Sequence, residues 1–349
     1  MSGLNYRAAG VDRRRAAQVI AGIAREAQRT RRPEQLTGLG GFAGLIGLPA
    51  GYREPVLLAT ADGVGTKLLL LRRLGRMRTA GIDLVAMNVN DLLAQGGEPL
   101  FFLDYMAAGR LDATELIEAA AGMADACVEA GCSLLGGETA EVPGLLADDQ
   151  LELAGFAVGV AEREALPDPT RVRVGDAVIG LAASGPHSNG FSLIRKVLER
   201  AGVVASDGRL DIGYRPEGWD KPLLDALLEP TRIYVRSVRP LLGTGCIRGL
   251  AHITGGGLPE NLPRALPRGL GLRLDPDAWP VPPVFRWLEG AGGIERQELY
   301  ATFNMGIGFA LIVDRQAADR VVARLTGEQG MAAWVIGEVV RGEGVSGLC

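Results

Sequence analysis

Val56-Leu-Leu-Ala-Thr-Ala61 runs directly into Asp62-Gly-Val-Gly-Thr-Lys67, and Leu68 to Leu74 follows with helical character. The first run is short and apolar and reads as a buried strand. The second holds two glycines, a carboxylate, a hydroxyl and a lysine. Glycines let backbone amides approach a phosphate, Lys67 adds a positive charge, and Asp62 could hold Mg²⁺. It is not a Walker motif, because Thr66 precedes Lys67 and the glycine spacing differs from G-x-x-x-x-G-K-[ST]. The plainer reading, an ordinary tight turn, leaves the set of Asp, Thr and Lys unexplained.

The same plan, a strand entering a polar glycine-rich stretch, recurs outward from this point. Cys132–Leu135 reads as a strand entering Gly136-Gly137-Glu138-Thr139-Ala140-Glu141. Ala177–Ala182 enters Ser184-Gly-Pro-His-Ser-Asn-Gly190, then a helix over 191–201. A strand over 247–253 enters Thr254-Gly255-Gly256-Gly257. Fifty glycines in 349 residues are about twice the usual share, and they cluster in these stretches. Other predicted helices cover 12–28 (capped by Asp12, with Ala16, Val19, Ile20, Ile23 and Ala27 as its stripe), 79–96, 113–130, 222–241, 283–290 and 315–325. Other predicted strands cover 100–106, 151–160, 270–274, 306–313 and 333–340. Strands alternating with helices give an α/β or α+β class. A polar, two-proline segment at 163–175 marks a boundary, giving domains 1–168 and 169–349.

Composition narrows the function classes. Apolar residues are 47%, charged residues 22%, and the net charge is −4, so no nucleic acid or anionic membrane is expected as partner. No apolar run approaches the roughly 18 residues of a membrane span, and Met1 to Arg15 has no signal-peptide core. Four cysteines form neither a disulfide framework nor a metal-ligand spacing. A cytoplasmic protein is the expectation.

Candidate site residues follow from chemistry. On the predicted 79–96 helix, Asn88, Asp91 and Gln95 form one polar stripe. Asp91 reaches solvent, finds a donor or binds a cation, since burying it unpaired is costly. Asp83 falls near the helix start, where the dipole favours a carboxylate. Glu138, after two glycines, is placed to ligate a metal, so Asp62, Asp91 and Glu138 could hold Mg²⁺ together with substrate phosphates. Gly38-Leu-Gly-Gly-Phe-Ala43 fits G-x-G-x-x-A in letters, but Thr30 to Thr37 is no strand, so a ligand-covering loop is the reading. Both histidines of the chain, His187 and His252, fall in glycine-rich loops. Donors there (Ser184, Ser188, Asn189, Thr254 and backbone amides) suit a phosphate and polar-substrate pocket. The residues alone therefore describe a Mg²⁺-dependent, phosphate-handling enzyme.

The chain also resembles the phosphoribosylformylglycinamidine cyclo-ligase family, nearly end to end, from Tyr6-Arg7-x-Ala-Gly-Val-Asp12 to about Gly337. The resemblance rests on Thr30-Arg-Arg-Pro33, Gly38-Leu-Gly-Gly-Phe42, Asp62-Gly-Val-Gly-Thr-Lys67, Val89-Asn-Asp91 and Glu98-Pro-Leu-Phe-Phe-Leu-Asp-Tyr105. It continues in Gly136-Gly-Glu-Thr-Ala-Glu141, Ser184-Gly-Pro-His-Ser-Asn-Gly190, Pro230-Thr-Arg-Ile-Tyr-Val235, His252-Ile-Thr-Gly-Gly-Gly257 and Thr302-Phe-Asn304. The Ser184 and Pro230 strings are the narrower ones; the first glycine-rich strings recur across a superfamily that includes thiamine-monophosphate kinase and a hydrogenase maturation protein. Many relatives carry lysines before Thr-Arg-Arg-Pro, where this chain has Gln28-Arg29, so no lysine role transfers there.

The resemblance implies two α/β domains, with the N-terminal sheets of two protomers pairing into a β-barrel as a homodimer. It implies ATP-dependent closure of formylglycinamidine ribonucleotide to aminoimidazole ribonucleotide. Mg²⁺ would fall to Asp62, Asp91 and Glu138. ATP would fall to the same carboxylates with Gly63, Val64, Gly65, Thr66 and Lys67. The ribose phosphate would sit at Ser184, Gly185, His187, Ser188 and Asn189 or at Thr254, Gly255, Gly256 and Gly257. Proton transfer or charge stabilisation would fall to His187, His252 and Lys67, unranked.

Overall fold

The computed structural model describes residues 12–348, so the Tyr6–Val11 part of the first family string lies outside the described residues. The chain forms two compact units. The first takes residues up to Val64, Leu68–Leu92 and Gly97–Arg163. The second takes Glu164 onward together with the short segments Gly65–Lys67 and Leu93–Gly96.

Among the described residues, the first unit carries a four-stranded sheet of β1 (Pro55–Gly63), β2 (Glu98–Ala108), β3 (Ser133–Glu141) and β4 (Leu151–Glu162), in the order β1-β4-β2-β3. β4 runs antiparallel to both neighbours, and β2 pairs β3 in parallel. Helices α1 (Arg13–Gln28), α2 (Lys67–Arg73), α3 (Met77–Ala94) and α4 (Ala113–Ala130) complete it. Asp12 caps α1 by accepting the Arg14 and Arg15 amides, as its residue type requires. Val19, Ile23 and Ala27 are buried, but Ile20 of the predicted stripe is half exposed.

α3 and α4 cross at glycines. A Cβ on Gly81 would overlap the Ala119 carbonyl, and one on Gly122 would overlap the Arg78 carbonyl. Phe102 and Met106 of β2 turn to the buried face. Leu57, Tyr105 and Phe156 share the opposite face and are exposed. β1 was expected to be a buried strand. It is instead an edge strand with no fully buried residue, because its apolar letters supply two faces and only β4 pairs with it.

Among the described residues, the second unit has six strands: β5 (Ala177–Ala182), β6 (Ile247–His252), β7 (Leu270–Leu274), β8 (Ile307–Val313), β9 (Ala333–Arg341) and β10 (Val345–Ser346). Their order is β10-β7-β9-β5-β8-β6. All pairs are antiparallel except β10 with β7. β8 is buried along its whole length. Its helices are α5 (Phe191–Arg200), α6 (Leu223–Leu227), α7 (Val235–Val238), α8 (Gly257–Asn261), α9 (Pro283–Gly292), α10 (Arg296–Thr302) and α11 (Ala318–Gly327).

The helix expected over 222–241 is broken into α6, an irregular stretch and α7. Pro230 supplies no amide and pushes Glu229 out of helical geometry, so the helix stops before it. α8, α10 and β10 had no counterpart in the sequence reading. Asp83 is not at a helix start. α3 begins six residues earlier, and Asp83 is fully buried within it. No helix among the described residues is long and apolar enough to cross a membrane.

Candidate active site

In the first unit the sheet lays four residues in one row: Asp62, Gly155, Asp104 and Gly137. In-register neighbours point to the same face, so Asp62 and Asp104 share the helix-covered side. Asp62 Oδ1 accepts the Gly63 amide at 2.8 Å. From α3, Asn88 Nδ2 donates to the Leu84 carbonyl at 2.9 Å and to the Asp62 carbonyl at 3.4 Å. Asn88 is fully buried, and its Oδ1 has no hydrogen-bond partner. Asp91 follows one turn later on α3. The end of β1 thus carries the Asp62 carboxylate with Asn88 packed beside it, and Asp91 lies on α3 one turn from Asn88; all three offer oxygen donors of the kind Mg²⁺ takes.

Glu138 does not join them. Gly136-Gly137-Glu138, expected as a loop after a strand, lies inside β3, and β3 is the opposite edge of the sheet from β1. Three strand spacings separate the edges, roughly 14 Å, too far for Asp62 and Glu138 to hold one ion together. Among the described residues no group of three His, Cys, Asp or Glu is gathered closely enough to hold a metal. The expected trio of Asp62, Asp91 and Glu138 is therefore not one cluster within the chain.

Asp104 was quoted in a family string but never singled out. It is 5% exposed, against Gly137, where a Cβ would overlap its carboxyl. Burial pushes that carboxyl up to about 7, against the pull of its own backbone amide, and Glu138 adds to the rise. Asp104 and Glu138 both line a cavity of about 880 Å³ that also holds Leu39, Phe42, Tyr105 and Phe156. The Gly38–Ala43 loop therefore lines a cavity, and Phe42 on it is fully exposed.

Lys67 was expected to bring a positive charge to ATP phosphates. Its side chain is fully buried in the second unit, where Nζ donates to the Glu229 carbonyl at 3.0 Å and sits 5.5 Å from the Phe191 ring centre. Beside it, the Thr66 and Ser192 hydroxyls are 3.1 Å apart.

In the second unit, the structure brings both histidine loops together. A Cβ on Gly255 would lie 3.5 Å from Asn189 Oδ1, so the Ser184–Gly190 and Thr254–Gly257 loops face each other. His187 and His252 interact electrostatically, and both lie beside β8 residues Gly308 and Phe309. Gly308 is required there, because a Cβ would overlap the Tyr234 hydroxyl and His187 Cε1. Tyr234 donates its hydroxyl to the Ala182 carbonyl at 3.0 Å.

The loops are braced by the residues that were candidates for phosphate contact. Ser184 Oγ donates to the Pro230 carbonyl at 2.6 Å, and the Ser188 and Thr231 hydroxyls are 3.2 Å apart. Asn304 Nδ2 donates to the Gly185 carbonyl at 2.9 Å. Asn261 Nδ2 donates to the Gly257 and Gly255 carbonyls at 2.8 and 3.1 Å. The Pro230-Thr231 and Thr302-Phe-Asn304 strings are thus clamps on the first loop, and α8 supplies the clamp on the second. Among the loop donors, Asn189 Nδ2 is buried with no hydrogen-bond partner.

Comparison with known proteins now has a structure to rest on. The model of the AIR synthase related protein N-terminal domain matches residues 46–161, and that of the C-terminal domain matches residues 173–349. The phosphoribosylformylglycinamidine cyclo-ligase of Gloeobacter violaceus is 54% identical over 343 residues, 98% of this chain and 99% of the relative. That of Myxococcus xanthus is 50% identical, over 98% of this chain and 97% of the relative. The hydrogenase maturation protein HypE, solved in complex with ATP, shares the fold at a TM-score of 0.62 and 20% identity, over 93% of this chain and 86% of that one. The chain belongs to the phosphoribosylformylglycinamidine cyclo-ligase family of AIR synthase enzymes.

Proposed function

We propose that the protein closes the imidazole ring of formylglycinamidine ribonucleotide at the expense of ATP, giving aminoimidazole ribonucleotide, ADP and phosphate. The observation that carries this reading is the identity of about half the residues along the full length to relatives named for that reaction. An amide oxygen is a poor leaving group. Transfer of the γ-phosphoryl group to it gives an imidoyl phosphate, the amidine nitrogen attacks the same carbon, and phosphate departs. Such transfer needs mainly positioning and neutralisation of charge.

Asp62 and Asp91, with the Asn88 amide oxygen beside them, are the residues that would hold Mg²⁺. Bound there, Mg²⁺ would neutralise charge on the ATP phosphates. Glu138, on the far sheet edge, belongs with the cavity under the Gly38–Ala43 loop rather than with that ion. Of the two loops open to the ribose phosphate, Thr254–Gly257 is the better placed, because the Ser184 and Ser188 hydroxyls are engaged with Pro230 and Thr231. Asn189 then offers its Nδ2 to a substrate oxygen. Lys67 organises the Gly65–Lys67 turn instead of touching phosphate.

The exposed sheet face with Leu57, Tyr105 and Phe156 is the surface on which a second copy would pair as a homodimer in the cytoplasm. Apolar side chains of that size on one open face favour burial against a partner.

The test is ring closure itself. Purified protein, formylglycinamidine ribonucleotide, ATP and Mg²⁺ are expected to yield aminoimidazole ribonucleotide and ADP in equal amounts. ADP without the imidazole would replace this reading with a kinase of the same fold, and neither product would discard it. Light scattering on the same sample reads the dimer.

A further inference from the structure

His187 is one of two described non-glycine residues with a left-handed backbone, at φ 59°. Its side chain is completely buried. The Ser184 amide donates to its Nε2 at 3.3 Å, closing the turn from inside. The geometry points to His187 as a positioning residue, a neutral imidazole carrying its proton on Nδ1, that fixes the Ser184–Gly190 loop and takes no part in proton transfer.

Four observations support this. An amide N–H aimed at Nε2 makes that nitrogen an acceptor, so the single proton of a neutral ring must reside on Nδ1. A ring with no exposed surface does not meet the substrate. Left-handed backbone at a non-glycine residue costs of order 1 kcal/mol or more and persists only where its surroundings hold it. Here the holding contacts are the Ser184 amide, Gly308 packed flat against Cε1, and the Asn304 clamp on Gly185.

The fourth observation concerns charge. The groups that face the ring are His252 at the end of β6, Lys67 from the buried turn, and Arg232 from the segment between α6 and α7. Tyr234, whose ring centre lies 6.3 Å away, spends its hydroxyl on the Ala182 carbonyl. β8 contributes Gly308 without charge. No carboxylate stands among these groups to compensate an imidazolium. Burial first, then these neighbours, hold the His187 imidazole well below its ordinary range. The ring therefore stays an acceptor throughout the neutral range, and the loop keeps its shape there. Asn189, two residues on, is the group that this shape presents to the substrate.

The kinetic half of the test rests on the ring-closure reading, but the spectroscopic half does not. ¹⁵N-labelled histidine in the full chain is assigned with a His252→Asn variant. His187 is expected to show the Nδ1–H tautomer and no titration between about pH 6 and 8. An Nε2–H tautomer, or a titration within that range, would overturn the assignment whatever the protein's activity. For kinetics, Gln places an acceptor oxygen where Nε2 lies and cannot ionise. His187→Gln is expected to keep kcat within about threefold with an unchanged pH profile, while His187→Ala raises KM for the nucleotide substrate about tenfold. A loss of about 100-fold or more in kcat for His187→Gln, at unchanged melting temperature and KM, would make the residue a proton-transfer group instead.

Discussion

The two units solve the same problem differently. In the first, the candidate residues stand on the sheet itself: Asp62 and Asp104 sit in one row across β1, β4 and β2, and Glu138 lies exposed on the edge strand β3. In the second, the candidate groups stand on loops beside a sheet whose strand β8 is buried along its whole length. The Ser184 and Ser188 hydroxyls and the Gly185, Gly255 and Gly257 carbonyls of those loops are bonded to neighbouring segments. The first arrangement sets its carboxylates in and beside one row of the sheet. The second fixes backbone shape and leaves Asn189 Nδ2 and His187 Nδ1 buried without hydrogen-bond partners. Substitutions in the first unit's row should therefore remove activity without unfolding the chain. Substitutions in the second unit's loops should cost stability before they touch chemistry.

Asp62→Asn tests the first half of that contrast and carries the largest expected effect. Asn retains an acceptor for the Gly63 amide. Turnover is expected to fall by about 1000-fold, about 4 kcal/mol of transition-state stabilisation, because the charge that would hold the metal is gone. The melting temperature should hold. A matching fall in melting temperature would mean that Asp62 is structural and that the contrast fails. Gly308→Ala tests the second half. A methyl group there meets the Tyr234 hydroxyl and the His187 ring inside β8, and overpacking at such a site costs about 3 kcal/mol. Denaturant unfolding reads it; a loss under about 0.5 kcal/mol would show that the loop yields easily and is not the rigid element described here.

How much of this was legible in the letters divides along the same line. Most strands of both sheets and most helices were readable, because period and capping residues such as Asp12 act locally. The fate of Gly136-Gly137-Glu138 was not. Two glycines read as a turn, yet here they allow Asp104 to lie against the neighbouring strand, a pairing fixed by residues some thirty positions away. The surroundings of Lys67 were not legible for a similar reason. A lysine after a glycine turn reads as a phosphate ligand, and only tertiary structure shows the Glu229 carbonyl that takes its ammonium. Asp104 did leave a signal, a lone carboxylate in the apolar run Leu100–Met106, which burial makes costly and therefore informative.

Asp104 provides the next test, a pH dependence. Its folded-state carboxyl titrates near 7, above the unfolded value of about 3.9. Protonation is thus favoured in the folded state. Its contribution is complete below about pH 4 and is lost as the pH rises to about 7, on the order of 2–4 kcal/mol in all. Asp104→Asn removes that slope. The wild type should lose stability relative to Asp104→Asn between pH 5 and 8 in urea titrations. Parallel curves would mean that the carboxyl is ionised at both ends, with a cation or donor beside it, and the first unit's row would then be as tightly partnered as the second unit's loops.

The smallest expected effect separates bracing from substrate contact in the Ser184–Gly190 loop. Ser188 and Thr231 are 9% and 2% exposed, with their hydroxyls 3.2 Å apart. If this pair braces the loop, Ser188→Ala and Thr231→Val should each cost about 1 kcal/mol, and the double variant less than the sum, because both remove one shared hydrogen bond. KM for the nucleotide substrate should then follow the loop and rise only as far as its order is lost. If the Ser188 hydroxyl were instead a phosphate ligand, stability would be indifferent to Ser188→Ala while KM rose, and Thr231→Val would leave KM alone. Asn304 anchors the same loop at Gly185 and Tyr234 holds the end of β5 that enters it, so the bracing account also requires that neither single variant unfold the loop.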